Sequence, residues 1–442
     1  MIATQSQSPS FPAIKFPHLA RVILPPLHRV RIKHPEAPAL QNLEKTVANA
    51  LSSFRHLQQI PKGSKVAIAV GSRGIAKIDK ITRTVVSGLK EMDLKPFIIP
   101  AMGSHGGGTG QGQQEVLKKL GIDDVSMGCE IRSSMKTVDF GLIAEGIHCH
   151  MDAHAAGAAG IVLINRVKAH TSFPREIESG LIKLIAVGLG KAEGARSVHR
   201  FGPKGLQEIL PKLAEKAIQS VPIKAGIALI ENANREICHL EPVQPEALFE
   251  TEKRLLRKAK SLMPSLPFDQ LDALIVEEFG KDISGAGLDP HISGRTDIRG
   301  VENPASPFIH KIAALRMTDA TNKNGMGTGV VDFLPQPTAN QLDLHSMYMN
   351  AVSSTVLEKA FLPIVLANDQ EVIRALVTTC WQPELNLVRL AQIRSTLHLN
   401  ELLLTTPLFH EAQTKGVLAS YDETTESLKF DSSGKLLTKV QC

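Results

Sequence analysis

Four short runs with hardly a polar side chain set the first limit on this chain: VAIAVG (66–71), PFIIPAMG (96–103), GIVLINRV (160–167) and AGIALIEN (225–232). A strand that is apolar along its whole length is covered on both faces, as in a parallel sheet with helices on either side. The intervening segments agree. Residues 79–93, DKITRTVVSGLKEMD, carry Ile81, Val85, Val86 and Leu89 at helical spacing, and QQEVLKKLGI (113–122) holds a glycine suited to closing a helix. Strand–helix–strand units of this length imply parallel pairing through right-handed crossovers. The sequence predicts an α/β fold.

A second block follows the charged helix pattern at 247–263 and the turn PSLP (264–267), with strand patterns ALIVEEFG (273–280), KIAALRMTD (311–319) and LPIVLAND (362–369). The expected organisation is a loose leader over 1–20, an N-terminal α/β domain over 21–267 and a C-terminal α/β domain over 268–442. Both sheets are expected to be mainly parallel, with the active site in the interdomain cleft. The length of 442 residues suits two or three domains at roughly 150 residues each. Five cysteines without a CxxC pair indicate neither a disulfide framework nor a thiolate zinc site. The first residues lack the apolar core of a signal peptide, and no apolar run approaches the ~18 residues of a membrane span. The expectation is a cytoplasmic protein without membrane contact, with room for a homo-oligomer.

Charge narrows the partners. The excess of 50 Lys and Arg over 44 Asp and Glu is +6 over the whole chain, which suits small anions and does not require nucleic acid. Two tyrosines and one tryptophan beside 15 phenylalanines disfavour a base-stacking single-strand binder. The cation run Lys253, Arg254, Arg257, Lys258 and Lys260 reads either as an anion-binding stripe or as the wet face of a helix burying Leu248, Leu255, Ala259 and Leu262.

Four places carry residues with chemistry. The turn AMGSHGGGTGQG (101–112) follows a strand directly. Its glycines, Gly106 first among them, let backbone N–H groups approach an anion, and His105 sits where open α/β sheets place ligands. It is neither a GxGxxG fingerprint nor a P-loop. The segment DKITRT holds Asp79, Thr82 and Arg83; the arginine suits a carboxylate or phosphate, or else is a solvated partner of a capping Asp79. The densest stretch, 164–202, contains Asn165, Lys168, His170, Lys183, Lys191 and His199. Lys183 lies in SGLIKLIAVGLG, where an ammonium is either desolvated and made nucleophilic or snorkels to water. Finally, His148, His150 and His154 read either as a site with His150 and His154 as an i,i+4 metal pair, if helical, or as a surface cluster.

Together these motifs resemble the nickel-dependent lactate racemase family, whose members carry a nickel-pincer nucleotide. Four signatures fall in the family's order: Asp-Lys-x-Thr-Arg (79–83), Gly-Ser-His (103–105), His170 followed by Ser-Gly-x-x-Lys (179–183), and His199 sixteen residues further on. The resemblance implies that Lys183 carries the cofactor covalently and that His199 ligates its nickel. It makes His105 and His170 the acid–base pair and Arg83 the substrate-carboxylate arginine. Asp79 and Thr82 would belong to the same cofactor-facing turn, with Gly106 and Lys191 also at the cofactor and Lys168 near its phosphate. The implied reaction is inversion at C2 of a 2-hydroxy acid, on protein loaded by cofactor-biosynthesis enzymes.

The second block departs from the family pattern. The Lys-Asp-Ile turn is present in GKDISGAGLDPHISGR (280–295), but the family's Tyr-Gln pair and lysine read Ala286, Gly287 and Pro290. His291 and Arg295 are the candidate replacements toward substrate. The smaller wall suggests a longer, more hydroxylated acid such as a sugar acid. Two other readings stay open: an NAD-type oxidoreductase using the glycine-rich turn, and a non-catalytic cofactor binder of the same fold.

Overall fold

The structure is a computed structural model that describes residues 8–72, 74–170 and 175–441. The chain divides into two compact units, Pro35–Met263 and a second one joining Met1–His34 to Pro264–Cys442. The first strand, β1 (Leu27–Ile32), belongs to the second unit.

In the unit Pro35–Met263, the apolar runs form β2 (Lys65–Val70), β3 (Lys95–Pro100), β6 (Gly160–Arg166) and β7 (Ile223–Glu231). A hairpin, β4 (Thr137–Leu142) and β5 (His148–Asp152), stands apart. The main sheet has the order β3-β2-β6-β7-β8, parallel except for β8 (Ile237–Val243), which pairs antiparallel at one edge. Pro96 and Pro100 are tolerated in β3 because they share the parity of Ile98, whose N–H points away from β2 to Glu130. Val66, Ile68 and Val70 face one core with α1 (Leu43–Ser52) and α2 (Ile78–Glu91). The intervening Ala67 and Ala69 are equally buried, as the unbroken apolar pattern requires.

The second unit holds an eight-stranded sheet of β9 (Gln270–Phe279), β10 (Phe308–Met317), β11 (Phe333–Pro335), β12 (Ile364–Leu366), β13 (Leu390–Ser395), β14 (His398–Thr405) and β15 (Leu418–Glu426), together with β1. The five strands β12-β11-β10-β9-β13 are parallel, and β14, β1 and β15 continue antiparallel. Both units are thus α/β with mainly parallel pairing.

Two boundaries differ from the sequence expectation. Residues from 21 onward were expected in the first domain, yet β1 lies between β14 and β15, where Val30 opposes Leu402 and Tyr421. The described part of the leader is not loose. Leu19 is buried beside Leu27, and the backbone of Phe11 and Ile14 bonds to Asn340, Gln336 and Ala367. Residues 1–7 lie outside the described residues.

Candidate functional site

Parallel strands bring their carboxyl ends to one edge of the sheet. In the unit Pro35–Met263 that edge presents Gly71 and Ser72 after β2, the Gly-Ser-His turn (103–105) after β3, and Asn165 near the end of β6. Residues 180–199 are tied to it. Asn165 Nδ2 donates to the Gly180 carbonyl at 2.7 Å, and Lys168 N–H donates to the Ser179 carbonyl at 2.8 Å. A helical turn, Leu181–Lys183, then runs into a π-helix, Leu184–Leu189. Within 180–191 every residue is buried except Lys183, which is half-buried. Lys183 is therefore the one residue of this apolar element that keeps partial exposure.

Glu252, on α5 (Leu248–Ser261), holds the start of this element. Its Oε2 accepts the Ile182 N–H at 2.9 Å, and a Cβ on Gly180 would lie 2.4 Å from its carboxyl carbon. Complete burial pushes the Glu252 carboxyl up to about 7, against the opposing N–H groups of Ile182 and Leu181.

At Gly190 and Lys191 the chain reverses into α4 (Lys191–His199). A side chain on Gly190 or Gly194 would strike the Ala186 carbonyl oxygen at 2.3 or 2.6 Å, so the two arms pack backbone to backbone. The fifteen residues between Lys183 and His199 fold back instead of running out along one helix. His199 is half-buried.

The Gly-Ser-His turn sits against this hairpin: Gly103 N–H donates to the Gly188 carbonyl at 3.1 Å, and a Cβ on Gly103 would touch both Val187 and Ala195. His105 is exposed, with Nδ1 2.5 Å from Ser72 Oγ. Gly106, Gly107 and Gly108 all have φ near +65°, a conformation that glycine adopts without strain. Gly106 also packs on α3 (Gly110–Lys119), where an added Cβ would lie 2.5 Å from the Gly112 carbonyl carbon. His170 is half-buried; its N–H donates to Glu178 at 2.5 Å, and the same carboxylate accepts Arg175 N–H at 2.8 Å and Lys260 Nζ at 2.5 Å. Residues 171–174 of that loop lie outside the described residues.

Several expectations are corrected. Thr82 is fully buried on the core face of α2, its hydroxyl without a hydrogen-bond partner, so it does not face a ligand. Asp79 is half-buried and packs on Gly121, and it is not the helix cap. Arg83 is exposed, but its Nε donates to the Ser126 carbonyl at 3.0 Å, in the short helix Asp124–Met127. The segment 79–83 is therefore not one ligand-facing turn. Lys191 has zero exposure and directs Nζ to the Pro100 carbonyl (2.5 Å), Gln113 Oε1 (3.0 Å) and Asp152 (3.1 Å). An ammonium has three donors, so none is left for a phosphate. Burial lowers its pKa, opposed by Asp152.

In the second unit, Arg295 is taken up by the carbonyls of Val330, Ile309 and His310 and by Asp332 at 2.8 Å; it braces the fold and does not await a carboxylate. His291 is half-buried in the turn Pro290–Ser293, its N–H on Asp289. Ala286, Gly287 and Pro290 are buried, and a Cβ on Gly287 would lie 1.8 Å from the Met326 carbonyl oxygen. These positions pack their own turn, so they carry no argument for a longer acid.

The remaining alternatives resolve more simply. His148 Nδ1 pairs with Asp139 at 2.6 Å, and His150 lies on β5 while His154 lies in the short helix Ala153–Ala156, so the two do not stand i,i+4 on one helix. In the cation run, Lys253 pairs with Glu176 and Glu250, Arg254 with Glu241 and Lys260 with Glu178. Leu248, Leu255 and Ala259 are buried opposite, with Leu262 half-buried, as a solvated helix face requires. Sequence reasoning missed Ser72, Gln113, Asp152 and Glu252, each of which has a partner at least thirty residues away along the chain. No described helix is long and apolar enough to cross a membrane.

No protein-family model matches the chain, and no curated protein is similar to it. Among solved structures it is similar to the lactate racemase apoprotein from Thermoanaerobacterium thermosaccharolyticum, at 12% identity and a TM-score of 0.52. The likeness covers 84% of this chain and 99% of that one. At such identity it is a likeness of fold, and the chain has a racemase-like fold.

Proposed function

We propose that this chain is an isomerase, a racemase or epimerase that inverts C2 of a 2-hydroxy acid with a nickel-pincer nucleotide. The observation that carries the reading is the position of Lys183, the one incompletely buried residue of the run 180–191, on a hairpin whose second arm ends at His199. A metal at this hairpin would take most of its ligands from a bound organic group. One covalent lysine and one histidine fit that demand. Lys183 would hold the group and His199 would ligate its metal; when bound, it supplies a site that accepts and returns the C2 hydride.

The chain's own residues handle the proton. When Nδ1–H of His105 donates to Ser72 Oγ, the ring's lone pair is at Nε2, where it can take the substrate hydroxyl proton. Losing that proton as C2 loses hydride leaves a planar 2-oxo acid, and return to the other face inverts the centre. His170 is the second acid–base group, on a loop whose backbone the buried Glu178 anchors. With Lys191 enclosed, Lys168 is the candidate for the nucleotide phosphate. Binding of the acid orients C2 and excludes water.

The test is intact mass of protein made alongside cofactor-biosynthesis enzymes, followed by a panel of 2-hydroxy and sugar acids assayed for exchange at C2. A covalent adduct that vanishes in Lys183→Ala, nickel that falls in His199→Ala, and C2 exchange by the loaded protein are expected. Absence of any adduct overturns the proposal. A second reading, a cofactor binder without catalysis, is favoured by one observation: Arg83 and Arg295, the two arginines expected at the substrate, are both engaged elsewhere. An adduct without C2 exchange across the panel would select it.

A further inference from the structure

Lys191 is a lysine in a place that suits neither its charge nor its backbone. Its φ is +54°, in the left-handed region where a side chain is strained and glycine is not, and its ammonium has no exposure. Removing an ion pair from water costs enough that apolar side chains of the same volume often serve stability as well or better. Stability alone therefore gives no reason for a charge here.

The partners supply one. Nζ reaches Pro100, the last residue of β3, and Gln113 on α3, and pairs with Asp152 at the end of β5. Gln113, itself fully buried, turns its amide the other way: Nε2 donates to the carbonyls of Gly103 at 2.8 Å and His105 at 3.3 Å. Asp152 is fixed in turn, its Oδ1 accepting the N–H groups of His154 and Ala155. Lys191 is also the corner residue of the hairpin that bears Lys183 and His199. One ammonium thus ties that corner to the strand end and, through Gln113, to the backbone of His105.

We infer that Lys191 is a positioning residue, which through Gln113 sets the place of His105 against the hairpin that carries Lys183 and His199. For catalysis this rests on the racemase reading; the positioning itself does not. A buried ammonium held by two hydrogen-bond acceptors and an ion pair has few alternative arrangements, so it fixes the turn more sharply than apolar packing does. Ser72 constrains the imidazole ring, whereas Lys191 and Gln113 constrain the backbone that bears it.

The experiment compares wild type with Lys191→Met/Asp152→Asn, which removes both charges and leaves neither one buried alone, and with Gln113→Met, which cuts the relay and keeps the ion pair. In unloaded protein, acylation of His105 by diethyl pyrocarbonate is followed by peptide mass, with exposed His18 of the other unit as control. Expected is a several-fold change in the His105 rate in both variants, at an unchanged His18 rate and unchanged circular dichroism. In loaded protein, the Lys183 adduct should still form while kcat falls by about a hundredfold, as misplacement of a catalytic group by an ångström can do, with KM moved far less. An unchanged His105 rate in either folded variant overturns the inference. If the His105 rate changes but even wild type lacks both adduct and C2 exchange, the positioning stands and the racemase reading fails.

Discussion

Glu252 shows how far a residue's surroundings can move its chemistry. From the sequence it is one of many charges on a helix; in the fold it is wholly buried beneath the turn that bears Lys183, with its carboxyl at about 7. Its native value lies above the unfolded one near 4.3, so the native state holds the proton more tightly. Its contribution to stability is full below about pH 4 and is lost as pH rises to about 7, amounting to ~4 kcal/mol in all. Urea midpoints of wild type against Glu252→Gln should show that loss in wild type alone. A parallel pH dependence in the two proteins would refute it. Ser72 offers a second check at this scale. Removing a hydrogen bond worth ~1 kcal/mol by Ser72→Ala should shift the His105 tautomer balance about fivefold, read by 15N NMR of unloaded protein.

Among the elements, those with an unbroken apolar or amphipathic pattern were legible. The runs at 66–71, 96–103, 160–167 and 225–232 became β2, β3, β6 and β7, and the pattern at 79–93 became α2. What the pattern could not disclose was the fold-back between Lys183 and His199. A glycine in a helical run reads as a weak helix former, while here Gly190 and Gly194 are required because the Ala186 carbonyl lies against them. Gly194→Ala would place its Cβ 2.6 Å from that oxygen. It should cost about 1–3 kcal/mol, in the range of an overpacked core, and raise hydrogen exchange over residues 181–199 more than over β2 or β3. Exchange unchanged in the hairpin would contradict this packing. Arg83 shows a related limit: helical spacing gives the face a side chain leaves from, not that the Ser126 carbonyl meets its Nε.

At the scale of the molecule, the N-terminal strand is the clearest case of long-range order overriding chain order. Residues 8–34 complete the sheet of Pro264–Cys442 although the whole unit Pro35–Met263 intervenes. A chain starting at residue 35 should lose exchange protection across β14 and β15 and in the second unit generally, while β2, β3, β6 and β7 keep theirs. Equal protection in both units would show that β1 is dispensable. The sequence by itself determined the α/β class, four of the five strands of the first sheet and three of the eight of the second, and it singled out the histidines, lysines and glycines of the Gly-Ser-His turn and the 164–202 stretch as candidates. Those features rest on local periodicity and turn chemistry, which act over a few residues. Only the tertiary structure decided that Lys191 is enclosed while Lys183 keeps partial exposure, that Thr82 is core, that Arg83 and Arg295 each meet a backbone carbonyl, and that Ser72 and Gln113 hold His105. Each of these depends on which backbone carbonyl or carboxylate arrives from a distant segment, and in a water-poor interior that partner decides whether a polar side chain supports the fold or remains available to a ligand.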